Sequence, residues 1–157
     1  MISQDDFKRA MSRFASGVTV VTTRDASGRH HGITVSAFCS LSASPPLVLA
    51  CIHKQTASHY AFLEYDGFVV NILSEDQEHV SQQFALAAEN KFGGDPVLTE
   101  GRGLPRLDGS LVTLECRTRH TYDGGDHTIL VGEVEHADIR EGRPLIYFHH
   151  DYGRIKE

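Results

Sequence analysis

No apolar run in this 157-residue chain approaches the ~20 residues needed to cross a bilayer. The opening M-I-S-Q-D-D-F-K-R also lacks the apolar core of a signal peptide. Both absences predict a soluble, cytoplasmic protein with no membrane partner. Positive charge is nowhere concentrated: the formal net charge is −6 and no Lys/Arg cluster opposes it, which argues against nucleic acid as a partner. Cysteine is sparse, with only Cys39, Cys51 and Cys116, each in an apolar alternating stretch. An odd count without close spacing argues against a disulfide framework or a zinc site and predicts reduced core residues. The pairs His30-His31 and His149-His150 have no recognised metal-site spacing, so no metal is expected. The length suits one domain over residues 1–157, able to bury roughly 70% of its unfolded surface.

What the chain does contain is ten strictly alternating positions after Gly32, in G-I-T-V-S-A-F-C-S-L-S. Read as one strand, it puts Ile33, Val35, Ala37, Cys39 and Leu41 on one face and Thr34, Ser36, Phe38, Ser40 and Ser42 on the other. A charge-free face of hydroxyls around one aromatic predicts a flat, polar-edged ligand resting there.

In chain order, Ser3 caps a short amphipathic helix carrying Phe7, Ala10, Met11 and Phe14, which ends at Gly17. Val18 to Thr23 is β-branched throughout and reads as a strand, turned back by Asp25 to Gly28. After Pro45-Pro46, the run Leu47 to Ile52 is apolar on both faces and predicts a strand buried on both sides, with a partner subunit or a helix of the same chain as cover. His53 to Ser58 opens a short helix with Thr56 as candidate cap. Lys54, Thr56 and Ser58 there supply the cation and hydroxyls that a phosphate needs. Gly67 to Leu73 is a strand with one amide, Asn71, which must find partners in backbone or ligand. Ser74 to Gln77 matches a capping box and predicts the longest helix, with Val80, Phe84 and Ala87 on one face. A long loop follows from Lys91-Phe92-Gly93-Gly94 to Gly109. Leu111 to Tyr122, with Glu115 facing outward, and His127 to Ile139 form a long hairpin about the Asp123 to Asp126 turn, and Leu145 to Phe148 is the last strand. Strands outnumber helices without βαβ alternation, so the predicted class is mainly β with helical additions, an antiparallel barrel.

The hydroxyl strand, the S/T-rich turn after it, F-V-V-N-I-L and the G-D-H of Gly125 to His127 together resemble the flavin reductase-like family, over almost the whole chain. These are short-chain NAD(P)H:flavin oxidoreductases that serve as reductase components of two-component monooxygenases. The resemblance implies a split β-barrel of Greek-key type, a homodimer, and FMN or FAD bound near the subunit interface. It also implies NADH or NADPH as hydride donor, and a partner monooxygenase supplied by diffusing reduced flavin. Carried over by position, it implies that Thr34, Ser36, Ala37, Phe38, Cys51, Ile52 and His53 lie along the flavin. Thr56, Ser58, Lys91 and Phe92 would serve its phosphate end, Asn71 matches the strand asparagine, and His127 would face the nicotinamide. Cys39 stands where many relatives have Ser or Thr. Two other functions fit the same residues: an FMN storage or carrier protein, and an FMN-bound oxidoreductase acting on another small molecule.

Overall fold

The computed structural model describes residues 1–88, 90–93 and 97–156; the loop expected from Lys91 therefore has its Gly94 outside the described residues. Helix α1 spans Gln4–Met11, with the Ser3 side chain accepting the Asp6 N–H and Asp5 and Asp6 in the first turn, where the helix dipole favours them. Strands β1 (Ser16–Gly17), β2 (Thr19–Arg24), β3 (His30–Val35), β4 (Phe38–Ala43) and β5 (Pro46–His53) follow, then α2 (His59–Glu64), β6 (Phe68–Ile72) and α3 (Glu78–Ala85). The chain continues through β7 (Val97–Glu100), β8 (Leu104–Leu107), the long pair β9 (Val112–Gly124) and β10 (His127–Ile139), and ends with β11 (Ile146–Phe148) and β12 (Asp151–Gly153). Among the described residues no helix is long and apolar enough to cross a membrane.

Seven antiparallel strands form one sheet in the order β3-β2-β6-β9-β10-β5-β4. Its two edges, β3 and β4, are joined by Ser36 and Ala37 alone, so the sheet must curl. Ile33 and Val35 from one edge accordingly share a core with Val48, Ala50 and Ile52 near the other, together with Phe62, Phe68, Val70 and Leu130. The expected barrel is not closed: among the described residues no ladder pairs β3 with β4. At the join the Phe38 N–H folds back onto the Ser36 carbonyl at 2.9 Å, and the Cys51 N–H takes the Ala37 carbonyl at 3.0 Å.

That break corrects the single strand expected from Gly32 to Ser42. Alternation continues in the sequence, but its parity reverses in space: Ile33 and Val35 are buried, Ala37, Cys39 and Leu41 are exposed, and Phe38 packs on the core. Of the three cysteines only Cys116 is a core residue, and burial pushes its thiol up to about 12. Strand β5 alternates as well. Val48, Ala50 and Ile52 are buried while Leu47, Leu49 and Cys51 stay half-open, so the described residues do not seal its outer face.

Helix α3 is eight residues long, no longer than α1, and Ala87 lies outside it. Only half of the capping box forms, with Gln77 Oε1 accepting the Ser74 N–H at 3.0 Å, and the helix starts after Gln77. Phe84 from α3 lies against Gly32, where a Cβ would stand 2.6 Å from the ring. The loop after residue 91 contains the β7–β8 hairpin. Glu115, expected to face outward, is buried beneath the connection of that hairpin, where its Oε1 accepts the Arg102 N–H at 3.4 Å. Strands β11 and β12 turn through His149 and His150, both at positive φ, and the His149 N–H donates to Ser12 O beyond the end of α1 at 2.8 Å.

Candidate active site

The break at Ser36 and Ala37 leaves a small hollow between the sheet edges, about 120 Å³, walled by Thr34, Ser36, Ala37, Cys51, His53 and His127. A larger groove of about 570 Å³ adjoins it through Ser36, Ala37 and Cys51. Its walls are mostly apolar, with Phe7, Met11 and Phe14 from the N-terminal segment facing Phe38, Leu49 and Phe148. A third hollow of about 180 Å³ shares Thr34 and Ser36 and is closed by Ser81, Tyr147 and Tyr152.

Two imidazoles form one end of the small hollow. His127 and His53 are direct partners in the β10–β5 register, with rings edge-to-face at 4.9 Å and 88°. His127 Nδ1 lies 2.7 Å from Asp126 Oδ1, and His53 Nδ1 accepts the Gln55 N–H at 3.2 Å. The turn that presents them needs a glycine, since Gly125 has φ +76°. Lys54 clamps this turn from β5: its ammonium donates to the Asp123 carboxylate and to the Gly125 carbonyl, and its backbone N–H donates to Asp126 O at 2.9 Å. The His127 hydrogen bond holds the Asp126 carboxyl below its ordinary range, as the Lys54 hydrogen bond does for Asp123.

Opposite, the Thr34 hydroxyl donates to the Ser81 carbonyl at 2.6 Å, and Ser81 Oγ lies 2.8 Å from Tyr152 Oη. Thr34 is thus tied to α3, and the small exposed side chains of Ser36 and Ala37 leave the approach open. An aromatic-walled groove beside a polar-rimmed hollow fits a flat ring with a polar edge.

Residues 11–156 match the family described as flavin reductase like domain. The chain belongs to the flavin reductase-like family. It is 42% identical over 154 residues to the reductase component of 4-hydroxyphenylacetate 3-monooxygenase from Thermus thermophilus, covering 97% of both chains. It is 40% identical over 144 residues to an NADH-dependent flavin reductase of a Rhodococcus species, covering 90% of this chain and 80% of the relative. Its fold superposes with a TM-score of 0.92, at 30% identity, on the NADH:FAD oxidoreductase of Streptomyces globisporus C-1027 solved with NAD and FAD fragments, covering 99% and 96% of the two chains.

Within this flavin reductase-like chain, Thr34, Ser36, Ala37, Cys51, His53 and His127 meet at one hollow, and Phe38 walls the adjoining groove. Others named from the sequence lie elsewhere. Ile52 is fully buried on the core face of β5, because neighbours along a strand point to opposite sides. Asn71 is fully buried as well: its amide donates to Val20 O and Thr22 Oγ1, and its oxygen accepts the Leu107 N–H, so its partners are protein rather than ligand. Thr56 does not cap α2; its hydroxyl donates to His53 O at 2.9 Å, and the N-cap position is Ser58, which is buried. Lys91 donates to Phe84 O at 3.0 Å and Gly32 O at 3.3 Å, with burial lowering its pKa. Phe92 packs edge-on against Phe84 and His30. Lys91 and Phe92 therefore brace β3 and α3, and no described contact joins them to Thr56 or Ser58. Sequence reasoning missed the groove walls from α1 and β11. The signal available was the apolar spacing of Phe7, Met11 and Phe14; the first two lie on α1, which buries none of its residues, and Phe14, expected on the same helix, lies beyond its end at Met11.

Proposed function

We propose that the chain is an NAD(P)H:flavin oxidoreductase that reduces FMN or FAD and releases the product to a partner monooxygenase. The observation that carries this reading is the convergence of the hydroxyl stretch and the G-D-H turn on one hollow beside an aromatic groove, in a chain whose relatives are NADH-dependent flavin reductases. Hydride acceptance is the chemistry a bound flavin supplies. The protein's share is to hold two flat rings together: the groove walled by Phe14, Phe38 and Phe148 takes the larger ring system, and Ser36 and Ala37 leave its face free. Purified protein should oxidise NADH rapidly only when FMN or FAD is added. Equal rates with and without added flavin would point to a tightly held cofactor, and no oxidation in either case to a carrier.

The same reading assigns a homodimer completing a split barrel. Helix α1 leaves Phe7 and Met11 exposed, Phe14 is 73% exposed, and the outer face of β5 is half-open, an apolar surface that a second copy would cover. Light scattering should show a dimer at micromolar concentration that Phe14→Ser weakens; a monomer with flavin bound would contradict the assignment. The flavin phosphate is assigned to the turn at Thr56 and Ser58. Replacing both by Ala should weaken FMN more than riboflavin, whereas equal weakening would move the phosphate elsewhere.

A further inference from the structure

We propose that the cleft beside the β7–β8 hairpin is a second ligand site, suited to a small acid that carries one carboxylate on a single apolar ring. Strand β8 is pinned across β2 and β6, with the Thr22 hydroxyl donating to Pro105 O and Asn71 Oδ1 accepting the Leu107 N–H. This covers the sheet face opposite the core that holds Val21, Val70 and Cys116. Where the cover stops, at the start of β9 and the end of β10, a hollow of about 250 Å³ remains, lined by Leu98, Arg106, Ser110, Thr113, Ile139 and Arg140. It shares no residue with the three hollows around Ser36. Ile139 and His127 are the two ends of β10, roughly 35–40 Å apart along the strand, so a ligand here touches nothing at the G-D-H turn.

Two buried hydroxyls point to a polar ligand. Thr113 is 9% exposed and Ser110 3%, and among the described residues neither hydroxyl has a hydrogen-bond partner. Rotation about the Cα–Cβ bond turns Ser110 Oγ to the hollow that its residue lines. Buried polar groups without partners cost free energy, so an entering group that accepts from both is favoured. Arg140 adds charge: its Nη2 donates to Asp108 Oδ1 at 2.9 Å, and among the described residues its guanidinium has no other partner. Arg106, 11% exposed on its side chain, donates to the 68% exposed Asp138. Both aspartates lie toward solvent, where water weakens their hold, and a guanidinium fork takes a carboxylate by two bonds at once. A carboxylate only accepts, which matches hydroxyls and guanidinium acting as donors. Leu98 and Ile139, both exposed, give the rim an apolar wall for the ring. Beyond Arg106 the adjoining hollow of about 350 Å³ holds Glu115, which repels a second acid group and limits the ligand to one.

The test titrates benzoate into the full chain, with FMN present in excess, by isothermal titration calorimetry. Benzyl alcohol, which keeps the ring without the charge, and inorganic phosphate, which keeps charge without a ring, are run beside it. Benzoate should bind once per chain and more tightly than either by about tenfold, the worth of one charge-assisted hydrogen bond. Arg140→Gln, on a half-exposed side chain, and Thr113→Val, which keeps the side-chain shape, should each weaken benzoate by about threefold to tenfold, with Tm showing that the variants are folded. His127→Ala should bind benzoate as wild type does. No binding of benzoate to wild type overturns the site, as does binding that either folded variant leaves unchanged. Benzyl alcohol or phosphate bound as tightly as benzoate overturns the assignment to an acid on a ring. Loss of benzoate binding in His127→Ala overturns it too, since the acid then occupies the hollow at the G-D-H turn.

Discussion

Two histidine–carboxylate pairs in this chain have nearly the same separation, 2.9 Å for His31 with Asp25 and 2.7 Å for His127 with Asp126, and opposite surroundings. The first is sealed, with side chains 9% and 10% exposed. Asp25 also accepts the Ser27 hydroxyl and the N–H groups of Ser27 and Arg29, and the Tyr60 hydroxyl closes the cluster at 3.2 Å. The second pair stands open, at 37% and 79% exposure, on the rim of a hollow. A buried pair satisfied on every side fastens a hairpin to a helix, whereas an exposed pair keeps one ring edge for a ligand. The same chemistry therefore serves the fold in one place and the proposed site in the other, and burial decides which.

The sharpest way to break this comparison is to remove one member of each pair. His31→Ala removes a buried ring and one of the partners of the buried Asp25 carboxyl, and should cause a larger fall in Tm than either substitution in the exposed pair. Asp126→Ala should leave Tm within about a degree, since exposed pairs contribute little. Differential scanning calorimetry on the two variants checks both. Acid gives a second handle. The Ser27 hydroxyl first, then His31, hold the Asp25 carboxyl well below its ordinary 3.8, so the stability it contributes is present above that value and is lost as pH falls below it. Urea midpoints measured down the acid limb should fall more steeply for wild type than for Asp25→Asn.

Asn71 extends the comparison to a buried amide. Its replacement by Ala leaves the Leu107 N–H without its acceptor inside the core and should cost about 1–3 kcal/mol. Flavin affinity should not change. A selective loss of FMN binding in a variant of normal stability would put Asn71 back in the site.

Smaller still is the expected effect of Asp126→Asn. It loosens the hold on the His127 tautomer without emptying the position, so Tm should not move and kcat/KM for NADH should drop by about twofold to fivefold. Unchanged kinetics would show that the carboxylate does not orient the ring.

Features set by near neighbours in sequence were legible. The Ser3 cap, the Asp25 turn and the long hairpin that carries Gly125 to His127 follow from turn chemistry and strand periodicity, and each stands where the residues put it. Six of the eight residues that line the small hollow were legible too, through the family motifs that carry them. The break at Ser36 and Ala37 was not, because the apolar–polar alternation runs through it unchanged. Only the curl of the sheet reverses which side is inside. Ile52, Asn71, Thr56 and Lys91 share a second cause: what each side chain meets is settled by strand parity or by carbonyls brought close through folding. A residue type alone names no partner.

The role of the exposed pair is tested most directly by single-turnover reduction of flavin by NADH in His127→Ala, run beside a flavin titration of the same protein. The expected result is weaker NADH binding or slower hydride transfer, on the order of tenfold, with FMN affinity and Tm unchanged. Intact hydride transfer, or a loss confined to FMN binding, would contradict it.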